Sequence, residues 1–166
     1  LSGDGDTLVV AAPAGADSMG KVRAFDWDGT NWVQRGEDIL AYANSENNFV
    51  SVLVAVSDNG NILVVGESLD DKAGKNAGQT RIFEWNGSAW VQKGATISGD
   101  EAGDGLGASV VLSADGNTLA IGEFETENDD GTETASARVF HWDGAQWLQR
   151  GKGAKLSHLQ VSLGMI

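Results

Sequence analysis

The chain has 166 residues, of which 24 are acidic and 11 basic, and the resulting net charge of −13 repels phosphate backbones and anionic lipid, which argues against a nucleic-acid partner. It contains no cysteine, which excludes disulfides, thiol catalysis and thiolate zinc sites, and it has only two histidines. A hydrophobic content of 41% is enough for a core, and no apolar run approaches the roughly 20 residues that span a bilayer, so the expectation is a soluble domain without a membrane span.

The chain opens on Leu1-Ser-Gly-Asp-Gly5-Asp-Thr-Leu-Val-Val-Ala11 and returns to the same pattern at Val56-Ser-Asp-Asn-Gly60-Asn-Ile-Leu-Val-Val-Gly66 and Leu112-Ser-Ala-Asp-Gly116-Asn-Thr-Leu-Ala-Ile-Gly122. A second signature follows each time. It reads Arg-x-Phe-x-Trp-x-Gly-x-x-Trp-x-Gln-(Arg/Lys)-Gly, begins at Arg23, Arg81 and Arg138, and contains all six tryptophans. Two signatures recurring in register mean that one supersecondary unit of about 56 residues has been copied in tandem. Leu1 is not a methionine and falls inside a copy, so the chain reads as a processed or excised piece of something longer, in which a signal peptide would be invisible.

In the second copy, Phe49–Val56 is a nearly continuous apolar, β-branched run, as expected of a strand buried on both faces. Asn59-Gly60 supplies the turn, and Ile62–Val65 is the next strand. Beyond a loop of variable length, Thr80–Trp85 and Trp90–Lys93 flank Asn86-Gly-Ser-Ala89 as a hairpin, with the two tryptophans facing each other at its mouth. No segment carries a 3.6-residue apolar period, and 23 glycines suit turns rather than helices.

The expected fold is therefore all-β, with β-propeller blades of four antiparallel strands. The blades are expected at 1–48, 49–105 and 106–160, with the start of a further one at 161–166, because Val161–Ile166 resembles Asp104–Val110. Three blades are fewer than the roughly four to eight that close a propeller, so either further blades belong to it or its open edges pair with another chain.

With both signatures in hand, the chain resembles the FG-GAP repeat family, the blades of the integrin α-subunit amino-terminal propeller and its relatives. The matching residues are Gly107-Ala-Ser-Val-Val111, Asp115-Gly116-Asn-Thr-Leu-Ala-Ile-Gly122 and Ala137-Arg-Val-Phe-His-Trp-Asp-Gly144. The resemblance implies a surface, secreted or lumenal location and a role in cell adhesion or assembly through protein binding. Calcium-binding members carry a D-x-D-x-D-G type turn between the first two strands. Here Val111 and Ser113 precede Asp115-Gly116, Val56 and Ser57 precede Asp58-Asn59-Gly60, and only Asp4 precedes Gly5, so the calcium ligand set is incomplete and is not carried over.

In a propeller the loop between strands 2 and 3 and the connection between blades share one end. That end collects Asp70 and Asp71 from the second copy and Asp100, Glu101 and Asp104 from the connection after it. The third copy adds Glu123, Glu125, Glu127, Asp129, Asp130 and Glu133. These residues form either a site for a cation or a basic partner, or a solvated acidic surface. Residues 67–78 and 123–135, which vary between copies, are where binding activity is expected.

The tryptophans suit either a sugar platform or packing between blades, and their equal recurrence with Phe25, Phe83 and Phe140 favours packing. Arg23, Arg81 and Arg138 are expected to stack on the Phe and Trp of their own copies or to pair with carboxylates. His141 and His158 have no partner at ligand spacing, and no G-x-S-x-G, P-loop or HExxH motif occurs. Asn86-Gly-Ser88 is a glycosylation sequon at a hairpin tip. The leading reading is a non-enzymatic propeller module binding a basic protein surface or self-associating. The alternatives are a carbohydrate-binding propeller and part of a propeller enzyme whose site lies in other blades.

Overall fold

The computed structural model describes residues 1–12, 20–41, 52–124 and 134–157. Among these residues all regular structure is β, and no helix is long and apolar enough to cross a membrane. The strands form three separate antiparallel sheets, one per sequence copy. Unit 1 contains β1 (Thr7–Ala12), β2 (Gly20–Trp27), β3 (Trp32–Gln34) and β4 (Ile39–Ala41). Unit 2 contains β5 (Val52–Val56), β6 (Ile62–Glu67), β7 (Gln79–Trp85), β8 (Trp90–Gln92) and β9 (Ile97–Ser98). Unit 3 contains β10 (Ser109–Leu112), β11 (Thr118–Phe124), β12 (Thr134–Trp142), β13 (Trp147–Gln149) and β14 (Ala154–Ser157).

Units 2 and 3 are meanders in the orders β5-β6-β7-β8 and β10-β11-β12-β13. The last strand is broken in every unit. β8 pairs with the end of β7 and β9 with its beginning, and β3/β4 and β13/β14 repeat the arrangement along β2 and β12. The break falls at the Arg/Lys-Gly pair of the signature. Gly36, Gly94 and Gly151 have φ of 77°, 80° and 68°, a left-handed conformation that carries the chain out of the ladder before it rejoins.

Both turns are built alike in all three units. In the first, Ser2, Ser57 and Ser113 donate to Asp4, Asn59 and Asp115, and accept from the backbone N–H five residues on, at 2.8–3.0 Å. In the second, the Oδ1 of Asp28, Asn86 or Asp143 accepts from two backbone N–H groups, at 2.7–2.9 Å. These bonds hold Asp28 and Asp143 below the usual carboxylate range, the backbone donors Asn31 and Gln146 being the first causes. A carboxylate whose folded pKa is depressed stabilises the fold above its unfolded pKa of about 3.9, and that contribution is lost as pH falls through the folded value. Asn86 makes the same turn without titrating. In the variant Asp28→Asn/Asp143→Asn, the loss of melting temperature below about pH 4 should therefore be shallower than in the parent, and an unchanged acid limb would refute this.

The sheets stack face to face. Val9, Val22, Ala24 and Ile39 of unit 1 meet Leu63, Val65 and Phe83 of unit 2, while Ile62, Val64 and Ile82 on the opposite face of unit 2 meet Leu119, Ile121 and Phe140 of unit 3. All of β6 is buried as a result. The sequence led us to expect the doubly buried strand at Phe49–Val56. The structure corrects this: β5 lies at the edge of its sheet with Leu53 41% exposed, and β6 holds the position between two cores. Each fully buried aliphatic side chain contributes roughly 1.5–3 kcal/mol, so stacking is the main source of stability.

Candidate functional site

Two regions carry polar chemistry: the end of the sheets where the connecting loops lie, and the corner where each unit meets the next. At the loop end, residues 68–78 and 99–108 are tied together by backbone hydrogen bonds. Gly99 donates to Gly78, Gly103 to Lys75, Gly105 to Asn76 and Leu106 to Ala77, at 2.9–3.1 Å. Gly78 (φ 77°) lies so near Leu106 that a Cβ would stand 2.3 Å from its carbonyl oxygen, so glycine is required for this approach.

The sequence-selected acidic residues divide by environment. Asp70 is 3% exposed, accepting from Gln79 Nε2 at 3.1 Å and the Lys72 N–H at 3.0 Å. Asp71 accepts from the Asn76 N–H at 2.7 Å, and Asp104 from those of Asp100 and Glu101 at 2.8 and 2.9 Å. Asp100 and Glu101 are exposed, and Asp100 reaches Arg138 Nη1 at 3.2 Å. Asp70, Asp71 and Asp104 thus act as hydrogen-bond acceptors that shape the loops. Glu125, Glu127, Asp129, Asp130 and Glu133 lie outside the described residues, as does His158. No group of three or more His, Asp or Glu side chains able to hold a metal occurs among the described residues.

Beneath the loops lie two ion pairs that sequence reasoning did not assemble. Arg81 grips Glu67 through Nε–Oε2 (2.8 Å) and Nη2–Oε1 (2.9 Å), Gln79 donates to the same Oε2 (3.0 Å), and Arg81 Nη2 also reaches the Leu40 carbonyl of unit 1 (2.6 Å). In unit 3, Arg138 pairs with Glu123 (2.5 Å) and donates to the Ser98 carbonyl of unit 2 (3.2 Å), and Ser136 donates to Glu123. The detectable signal was Gly-Glu closing the second strand in copies two and three, against Ala12 in copy one. Arg23, lacking that glutamate, pairs bidentately with Asp38 at 2.7 and 2.9 Å, and these bonds hold Asp38 well below the usual carboxylate range.

At the corners, the paired tryptophans lie opposite each other in register, with ring centroids 5.4–5.5 Å apart and planes tilted by 55–59°. The pair of one unit seats on the Arg/Lys-Gly corner of the unit before it. The Trp90 indole N–H donates to the Arg35 carbonyl (2.9 Å), and that of Trp147 to Lys93 (3.0 Å). The Arg35 guanidinium lies 4.8 Å from the Trp85 ring and the Lys93 ammonium 5.2 Å from that of Trp142. Arg35 also donates to Asn61 Oδ1 (2.5 Å) and Gly60 O (3.3 Å) in the turn of unit 2. A sugar platform would need these ring faces and indole donors. In units 2 and 3 the corner takes the indole donors of Trp90 and Trp147 and lies against the Trp85 and Trp142 rings, a packing role.

Comparison with protein-family models, with curated proteins and with solved structures found no match.

Proposed function

We propose that the chain is a β-propeller segment of the FG-GAP type and works as a non-enzymatic binding module, meeting a protein partner with a basic surface at the loop end. The observation that carries the proposal is the division of labour between what repeats and what varies. The repeated residues are consumed by structure: the tryptophans and Arg/Lys-Gly corners join units, and the Ser-x-Asp/Asn and Asx turns close hairpins. Stacked meanders with a shared latch are how blades succeed one another in a propeller. Variation is left to the loop segments, in which Asp100 and Glu101 stand exposed, and copy three adds an acidic stretch to its own loop in sequence. Loops held on a rigid scaffold are where binding specificity resides.

The test is a pull-down with immobilised basic proteins, comparing the parent with Glu101→Lys combined with Glu125→Lys, Glu127→Lys and Asp130→Lys. Capture should fall roughly tenfold or more and should weaken in the parent as salt is raised, since exposed charges act through screened fields. Capture unaffected by the four reversals would remove the loop end from the proposal.

A further inference from the structure

Unit 1 presents, uncovered, the face that units 2 and 3 bury. Trp27 and Trp32 are 41% and 40% exposed, and Val10 is 44% exposed where its counterparts Val65 and Ile121 are fully buried. At the other end of the described stack, the corner of unit 3 meets no described residue of another unit. Arg150 is exposed, and among the described residues nothing lies within 4 Å of a Cβ placed on Gly151, although its φ of 68° resembles those of the seated Gly36 and Gly94. One molecule therefore carries both halves of an interface it has already built twice internally.

We propose that the Trp27–Trp32 face of unit 1 is a docking surface for the Arg150–Gly151 corner of a second copy of this chain, so that copies associate head to tail. The two internal joints set the contacts. The Trp32 indole N–H donates to the Arg150 carbonyl, Gly151 lies under the Trp27 ring, and the Ala114 N–H donates to the Gly3 carbonyl. This last bond continues the series in which Gly3 donates to Asp58 and Asp58 to Ala114, each at 3.0 Å.

Charge at the two ends favours this pairing over a repeat of the internal ones. Arg35 and Lys93 each pair with a carboxylate of their own sheet, Asp26 at 3.2 Å and Glu84 at 3.3 Å. The residue at that position in unit 3 is His141, and no described carboxylate pairs with Arg150. Arg35 meets Asn61 in the turn of the next unit, whereas the corresponding residue of unit 1 is the exposed Asp6. An arginine bond to a neutral amide inside the molecule thus becomes an arginine–aspartate pair between molecules, which is stronger and has a sense of direction. The contact is heterologous, so it extends into a chain or closes into a ring. The inference rests on the internal joints alone and stands apart from the loop-end reading.

Sedimentation equilibrium of the whole chain, up to roughly 1 mM, tests it. The parent should show mass rising with concentration, accompanied by a blue shift of tryptophan emission as Trp27 and Trp32 are covered. Arg150→Glu and Asp6→Arg change exposed side chains, and each should raise the dissociation constant roughly tenfold or more with unchanged far-ultraviolet circular dichroism. Mixing the two variants restores opposite charges at both junctions and should restore association. A parent that stays monomeric throughout would overturn the proposal, as would association indifferent to both substitutions or a mixture no better than its components.

Discussion

Gly94→Ala should lower the free energy of unfolding by about 2–4 kcal/mol, while the same change at Gly151 costs only about 1 kcal/mol. Both glycines sit in the left-handed region, so both variants carry the backbone strain of an L-residue there. Only Gly94 is seated. A Cβ on it would stand 2.8 Å from Cζ3 of Trp142 and 3.0 Å from Cδ1 of Trp147, and neither indole can retreat without giving up the hydrogen bond to Lys93 or the cross-strand stack. The difference between the two variants, measured by urea denaturation, isolates the contribution of the joint from that of the turn. Equal losses would mean that the tryptophans tolerate displacement and that the corner is not a fitted contact.

Glu67→Ala should be more damaging still, at about 3–5 kcal/mol. Glu67 is 1% exposed and Arg81 8% exposed, and removing the carboxylate takes from a buried guanidinium the group that grips it at two nitrogens. Replacing both residues by methionine should recover much of the loss, because two apolar side chains of similar volume leave neither member of the pair buried without its partner. Unit 1 shows a third arrangement within the same molecule. Where Glu67 would stand it has Ala12, and Arg23 has a 46% exposed side chain paired with Asp38 near solvent. Thermal melts of the parent and the two variants decide the matter. A Glu67→Ala protein as stable as the parent would show that water reaches Arg81 despite its burial.

Much of this arrangement is legible in the residues. The spacing of Trp85 and Trp90 about Asn86-Gly87 fixes both the hairpin and its register, because one Asx turn closed by a left-handed glycine permits only that alignment. The break in the last strand was not legible. Gly94 reads as the end of a strand, and the segment that rejoins the ladder, Ile97–Ser98, is too short to show alternation. Periodicity also could not separate β5 from β6, since both are apolar runs and only the neighbouring sheets decide which one is covered twice. The environment of the acidic loops was not legible for another reason. Composition records that Asp70 and Asp104 are charged, but not that backbone and amide N–H groups point at them. The seating of Trp90 on Arg35 joins residues 55 positions apart, and no local pattern states which copy a tryptophan touches.

That seating divides the information for every joint between consecutive copies: the corner is written in one and its tryptophans in the next. A gene segment covering one whole repeat therefore brings both a corner for its successor and a tryptophan pair for its predecessor. Inserting or deleting such a segment leaves all remaining joints matched, and no compensating change is needed elsewhere. An array built this way can change length by unequal recombination while its loops diverge freely, and the conservative part of the repeat is then the part that keeps duplication harmless.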